Sequence, residues 1–146
     1  MKISSARECD NAIETLLYYQ LSSRLSCERM KFIIKDSYHT YVDIYGYVCR
    51  FHHGTRVRCM GAMGGIHTNM VKKKLTWDKG IKADFDFLGH HHTYLPVAGG
   101  GYVFNGSLIG DTPFGLDFGH QSPTQAFFLL DKKRGLTVTM PILFSQ

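Results

Sequence analysis

The residues best suited to chemistry in this chain are histidines, and they fall in two groups. Gly89-His90-His91-His92 closes a short apolar run, Asp84-Phe85-Asp86-Phe87-Leu88, and His52-His53-Gly54 closes an earlier β-prone run. Neutral imidazole is the commonest nitrogen ligand for zinc, manganese and iron. His90 and His92 lie two apart, so in an extended or tightly turned segment both rings can face one centre while His91 faces elsewhere. His53, His90 and His92 therefore form a candidate three-histidine set, of the kind that leaves a fourth position open for water. An ion held there lowers the pKa of that water to about 7 and supplies a nucleophile at neutral pH. The competing reading is a histidine run without a ligand role. Tag-like runs sit at termini, however, and this one follows a strand.

Thiol chemistry is the rival catalytic idea. Cys9, Cys27, Cys49 and Cys59 form no C-x-x-C pair, and no spacing ties Cys49 or Cys59 to a histidine. Free thiols are the simplest reading in a reducing compartment.

These histidines need strands behind them. Phe85, Phe87 and Leu88 suit a buried strand, and Gly89 permits a sharp turn at its end. Tyr41 to Phe51 reads as β structure, with Gly46 as a bend or bulge. Two β runs that each end in histidine beside glycine suggest neighbouring parallel strands delivering histidines to a common edge, where α/β folds bind ligands. Arg7 to Ser26 reads as a helix with an apolar stripe of Ala12, Ile13, Leu16, Leu17, Leu21 and Leu25, used for packing. Phe32-Ile33-Ile34 fits a short strand or a helical turn. Residues from about His67 to Lys79 read as a second helix carrying Lys72-Lys73-Lys74. The glycine-rich loop Arg56 to Gly65 matches neither G-x-G-x-x-G nor a Walker A pattern. Tyr102-Val103-Phe104 follows three glycines, and Gln125–Leu130 with Leu136–Met140 reads as a β-hairpin.

The chain has 146 residues, 44% of them hydrophobic, 13% aromatic and 20% charged, which suits one globular domain over 1–146. No apolar run is long enough to span a bilayer. The first residues lack the apolar core of a signal peptide, so a cytoplasmic protein without a membrane partner is expected. A net charge of +5 leans toward a polyanionic partner.

Taken together, His53-Gly54 after a β run, Gly89-His90-His91-His92 one strand-helix-strand unit later, and Asn105-Gly106-Ser107 after the next strand resemble the C-terminal half of the calcineurin-like metallophosphoesterases. The last two motifs of that family are a lone histidine, often followed by glycine, and G-H-x-H. Gly106-Ser107-Leu108-Ile109-Gly110 and Ala126-Phe127-Phe128-Leu129-Leu130-Asp131 are similar to its phage-type members. The resemblance covers roughly residues 7 to 142. It implies an α/β (α+β) fold, part of a β-sandwich flanked by helices. It also implies that His53 and His90 ligate one divalent metal (manganese, zinc, iron or magnesium) and His92 a second, with the two ions serving phosphoester hydrolysis. His52, His91 and Asn105 would stand behind the ligands or face the substrate.

The departure from the family is large. Its first half carries D-x-H, G-D and G-N-H-[DE]. This chain has no D-x-H and no G-N-H, and its only Gly-Asp, Gly110-Asp111, follows G-H-x-H. The bridging carboxylate, the asparagine and the catalytic histidine are missing, so no catalytic residue is assigned. Half of a full zinc site retains about 5–8 kcal/mol, a dissociation constant on the order of 100 to 1 μM. Weak metal binding and little or no hydrolysis by the isolated chain are expected.

Three readings follow. The chain is the C-terminal portion of a phosphodiesterase or phosphomonoesterase, exonuclease-like activity included, completed by a separate N-terminal half. In that reading an apolar sheet edge or face should be exposed, and a phage-encoded protein would work in the host cytoplasm. Alternatively it is a non-catalytic nucleic-acid-binding or interaction module, with Arg50, Arg56, Arg58, Lys72, Lys73 and Lys74 as phosphate contacts. The third reading is a mononuclear three-histidine hydrolase.

Overall fold

A computed structural model describes residues 13–35, 37–58, 65–97, 99, 101–110 and 122–144. The chain divides into two compact units, residues 1–40 and 41–146.

The first unit holds helix α1, Ile13–Leu25. The expected helix over Arg7–Ser26 is present in its described part, and residues 7–12 lie outside the described residues. Of its apolar stripe, Leu16, Leu17, Leu21 and Leu25 are exposed. After the helix, Cys27 and Met30 form an isolated bridge, and Phe32-Ile33-Ile34 is neither strand nor helix.

The second unit is built on a five-stranded sheet in the order β1-β2-β3-β5-β4. The β run over Tyr41–Phe51 is two strands, β1 (Thr40–Ile44) and β2 (Tyr47–His52). Tyr45 and Gly46, with φ of 59° and 88°, form the two-residue turn between them. Positive φ at both central residues matches the right-handed twist of a hairpin, and the Asp43 carboxylate accepts the Gly46 N–H at 3.0 Å. The second helix, α2, runs Gly65–Trp77, close to the expected span. Strands β3 (Phe85–Leu88) and β5 (Tyr102–Phe104) follow, with β4 (Leu95–Val97) between them in sequence and antiparallel to β5 at the sheet edge. β4 carries Pro96, which an edge strand tolerates because a missing N–H there breaks no ladder bond.

β2, β3 and β5 are parallel neighbours, in register from Cys49–Phe85 to His52–Leu88 and from Asp86–Tyr102 to Leu88–Phe104. Parallel strands are covered on both faces, and here the alternation sorts the side chains. Cys49, Phe87 and Val103 take one face; Leu88, Tyr102 and Phe104 take the other, with Met70 of α2 and Val57 packed on them. The first face meets a separate antiparallel pair, β6 (Thr124–Asp131) and β7 (Gly135–Leu143). Phe128 of β6 stacks on Phe87 at a ring separation of 4.1 Å, and Ala126, Leu130 and Leu136 join it. Of this core, Phe87, Leu88 and Val103 are buried, each contributing about 1.5–3 kcal/mol; the β6–β7 side chains are partly buried and contribute less. The result is helix, sheet, sheet, with the parallel sheet in the middle.

Candidate histidine site

Parallel register carries the chemistry to one edge. The last paired positions of β2, β3 and β5 are His52, Leu88 and Phe104, so the next residues, His53, Gly89 and Asn105, emerge side by side. The pairing continues beyond the strands: Gly89 N–H donates to the His53 carbonyl at 3.1 Å, and Asn105 N–H to the Leu88 carbonyl at 2.6 Å. Neighbouring parallel strands thus deliver histidines to a common edge, as the two β-His-Gly endings suggest.

The two loops fit closely. Gly54 has φ +103°, and a Cβ on it would lie 2.9 Å from the Gly89 carbonyl oxygen and 3.3 Å from His90 Cβ. Only glycine lets the loops approach this far. His90 sits at the centre of a three-residue turn: its φ is 70°, and His91 N–H donates to the Gly89 carbonyl at 2.9 Å. His92 follows with φ 53°. Positive-φ turns at non-glycine residues are rare and strained, at about 1–2 kcal/mol each. Such strain persists where surrounding contacts impose it, and it gathers at functional sites.

The consequence is a direct contact between rings. His90 Nδ1 and His53 Nε2 are 3.1 Å apart, so one nitrogen carries a proton and the other accepts it. His91 turns away, buried, with Nε2 2.7 Å from the Val57 carbonyl oxygen and its ring edge-on to Phe104. Burial lowers the pKa of His90, and the charges of His53, His91 and His92 lower it further. Burial also lowers that of His91, opposed by the Val57 carbonyl and reinforced by His53 and His92. Near neutral pH both rings are therefore held uncharged, the form that binds metal.

Two nitrogens bound to one four-coordinate ion at 2.0–2.1 Å stand about 3.3 Å apart. The His53–His90 pair fits that spacing. Among the described residues, no group of three or more histidine, cysteine, aspartate or glutamate side chains is arranged to hold an ion. Of the candidate ligands, His53 and His90 are the two whose ring nitrogens meet.

The remaining sequence candidates have other surroundings. His52 is buried against α2, its ring 4.9 Å from that of Trp77 and Nε2 3.8 Å from Asp86. Asn105 ties the two sheets together: its Oδ1 accepts the Ala126 N–H at 2.6 Å and its Nδ2 donates to Gln125 at 2.9 Å. Arg56, Arg58 and Lys72 are exposed and Lys73 is half-buried. Lys74 and Arg50 belong elsewhere. Lys74 Nζ reaches Asp86 at 2.9 Å and the Ala83 carbonyl at 2.6 Å. Arg50, fully buried, holds Asp86 through Nε at 2.5 Å and Nη2 at 3.1 Å, and Asp78 through Nη1 at 3.1 Å. Burial opposes the charge on Arg50, but the hydrogen bonds and charge of Asp86 outweigh it and raise the pKa. Cys49 is no nucleophile: burial pushes its thiol up to about 11, with Asp84 and Asp43 adding to the shift.

This ion-pair network was not read from the sequence. Its signal was there: Arg50 and Asp86 are lone opposite charges inside two apolar β runs, each the same distance before the strand's end. A further contact with no signal in the sequence joins the Tyr102 hydroxyl on β5 and His67 Nδ1 on α2.

No protein-family model matches the chain, and no curated protein matches it. Solved structures do. A single-mutant Vps29 from Entamoeba histolytica is similar in fold at 14% identity and a TM-score of 0.50, over 79% of this chain and 65% of that one. Wild-type Vps29 from the same organism, complexed with zinc, aligns over 87% of this chain and 75% of its own at 15% identity and a TM-score of 0.49. The first likeness shows the fold, a mixed α+β arrangement of the metallophosphoesterase-like type. This chain spans 65% of the length of that neighbour.

Proposed function

We propose that this chain is a non-catalytic binding module on a metallophosphoesterase-like fold, one that takes a divalent cation weakly through His53 and His90. The observation that carries this reading is the carboxylate placement. Asp86, the acid inside β3, is engaged by Arg50 and Lys74, and among the described residues no acid joins the histidine pair. A two-metal hydrolytic site needs a bridging anionic ligand to hold two cations about 3.5–4 Å apart. A bound ion would polarise a phosphoryl oxygen. The chain's own groups would hold two of its positions, and displacing the shared ring proton would release it to solvent. The test is a manganese-dependent phosphodiesterase assay on bis-p-nitrophenyl phosphate. The expected rate is at background; turnover by the lone chain that disappears in His90→Ala would overturn the proposal.

A second reading is favoured by the histidine geometry itself. The 3.1 Å ring contact and the strained turn keep two ligands poised. In this reading the chain is the C-terminal portion of a phosphoesterase, similar to phage-type members, and a separate N-terminal half supplies the carboxylates and restores hydrolysis of a phosphoester or nucleic-acid substrate. His92 would then ligate the second ion. Adding that half and recovering manganese-dependent activity would select this reading over the first. Nucleic-acid contact through Arg56, Arg58, Lys72 and Lys73 predicts DNA binding that weakens steeply with salt. Lys74, tied to Asp86, contributes little to it.

A further inference from the structure

The β6–β7 pair is apolar on both faces. Its inner face packs on the parallel sheet through Ala126, Phe128, Leu130 and Leu136. On the outer face, Phe127 stands opposite Met140, Leu129 opposite Val138, and Gln125 opposite Ile142. Those five apolar side chains are 37–48% exposed. An apolar sheet face is normally covered by another layer, and a contiguous apolar ladder left open marks a docking surface.

The strand edges rule out one way of covering it. Phe144 N–H donates to the Pro123 carbonyl. The alternation of an antiparallel ladder then turns the backbone of Thr139, Pro141 and Leu143 toward the open edge of β7. Pro141 has no N–H to offer there. On the other side, Thr124 N–H is taken by the Ser107 carbonyl and Ala126 N–H by Asn105 Oδ1. An added strand meets edges interrupted at Pro141, Thr124 and Ala126, which favours an occupant lying across the face.

Charge selects the occupant. The hairpin tip is Lys132-Lys133-Arg134, all exposed. Asp131, the acid beside it, has Oδ1 occupied by the backbone N–H groups of Lys133 and Arg134, each at 2.9 Å. The apolar ladder spans four residue steps, about 14 Å, and the basic tip lies about 7 Å beyond it. A helix rises 1.5 Å per residue, so anchors at i, i+3 and i+7 cover about 10 Å of that ladder.

We propose that the outer face of β6–β7 docks an amphipathic helix from a partner protein, its apolar stripe on Phe127, Leu129, Val138 and Met140 and its acidic end over Lys132–Arg134. The proposal rests on the binding-module reading and names the partner's chemistry.

The test uses the full chain and two synthetic 18-residue helical peptides with leucines at i, i+3 and i+7. One ends in three glutamates and the other in three lysines at the same positions. By fluorescence anisotropy at 50 mM salt, the acidic peptide binds at least tenfold more tightly than the basic one. That preference collapses in a Lys132→Glu/Lys133→Glu chain. Binding of the acidic peptide falls at least tenfold in Leu129→Lys and in Met140→Lys, while their circular dichroism and urea midpoints stay at the parent values. Equal binding of the two peptides, or no binding of either, overturns the proposal. So does sedimentation showing a dimer of this chain that Met140→Lys dissociates, since a second copy then owns the face. The phosphodiesterase assay on the same preparations separates the two failures: hydrolysis without peptide preference sinks both readings, whereas no hydrolysis and no preference sinks only this one.

Discussion

One residue decides whether the histidine loops can meet. Gly54 allows the contact, since any Cβ there runs into the Gly89 carbonyl at 2.9 Å on top of a φ of +103°. Gly54→Ala is expected to cost about 2–3 kcal/mol, measured as a lower urea midpoint, and to separate the His53 and His90 rings. A midpoint unchanged within error would show that the loops relax freely. His90 sets the pH response together with His91. Both have folded-state pKa values below the ordinary 6.5. Between the folded value and 6.5 the unfolded chain binds more protons, so stability rises with pH across that interval. It is complete above about 6.5 and lost as pH falls through the folded values. Urea midpoints at pH 7.5 and pH 5.5 should differ in that direction, and a flat profile would contradict the burial of neutral imidazoles.

At the scale of elements, the network of Arg50, Asp86, Lys74 and Asp78 joins β2, β3 and the C-terminal end of α2. Arg50 and Asp86 are cross-strand partners in register, so parallel pairing itself brings the charges together. Trp77 closes over the guanidinium at 5.1 Å from its ring centroid, a cation–π contact. Removing one partner strands the other in the core, so Arg50→Met is expected to destabilise by about 3–5 kcal/mol in chemical denaturation. The double variant Arg50→Met/Asp86→Leu should recover most of that loss, because paired apolar replacements leave no orphaned charge. A double variant as unstable as the single would mean that packing, not charge, is at stake. Asn105 works between elements as well, with hydrogen bonds that run from the end of β5 to β6.

For the whole molecule, the second unit carries a histidine contact at one strand edge and an apolar ladder on the outer face of β6–β7. Under the proposed reading of His53 and His90 as the two ligands, metal affinity follows that count. In isothermal titration with manganese or zinc, a dissociation constant between about 1 and 100 μM is expected, weakened at least tenfold by His90→Ala. Nanomolar affinity would require ligands beyond the pair. No described helix is long and apolar enough to cross a membrane.

The order of elements was legible in the sequence because it depends on local patterns. Apolar runs ending in glycine and histidine marked β2 and β3 as neighbours with a shared edge, and three-and-four spacing marked α1. The likeness to the metallophosphoesterase fold was legible from His53-Gly54 and Gly89-His90-His91-His92 in that order. The turn at Tyr45-Gly46 and the three-residue strand β4 were not, since a tyrosine at positive φ and a proline on an edge give weak local signals. The depth of Arg50, Asp86 and Lys74 was decided only by tertiary structure. A charge in a β run reads as solvent-facing until the partner strand is known, and here strand register supplies the opposite charge while α2 seals the pair from water. The histidine contact was decided at that level too. The spacing of His90 and His92 allowed convergence on one centre, but which rings meet was set by the fold: the close approach permitted by Gly54 brings His90 to His53.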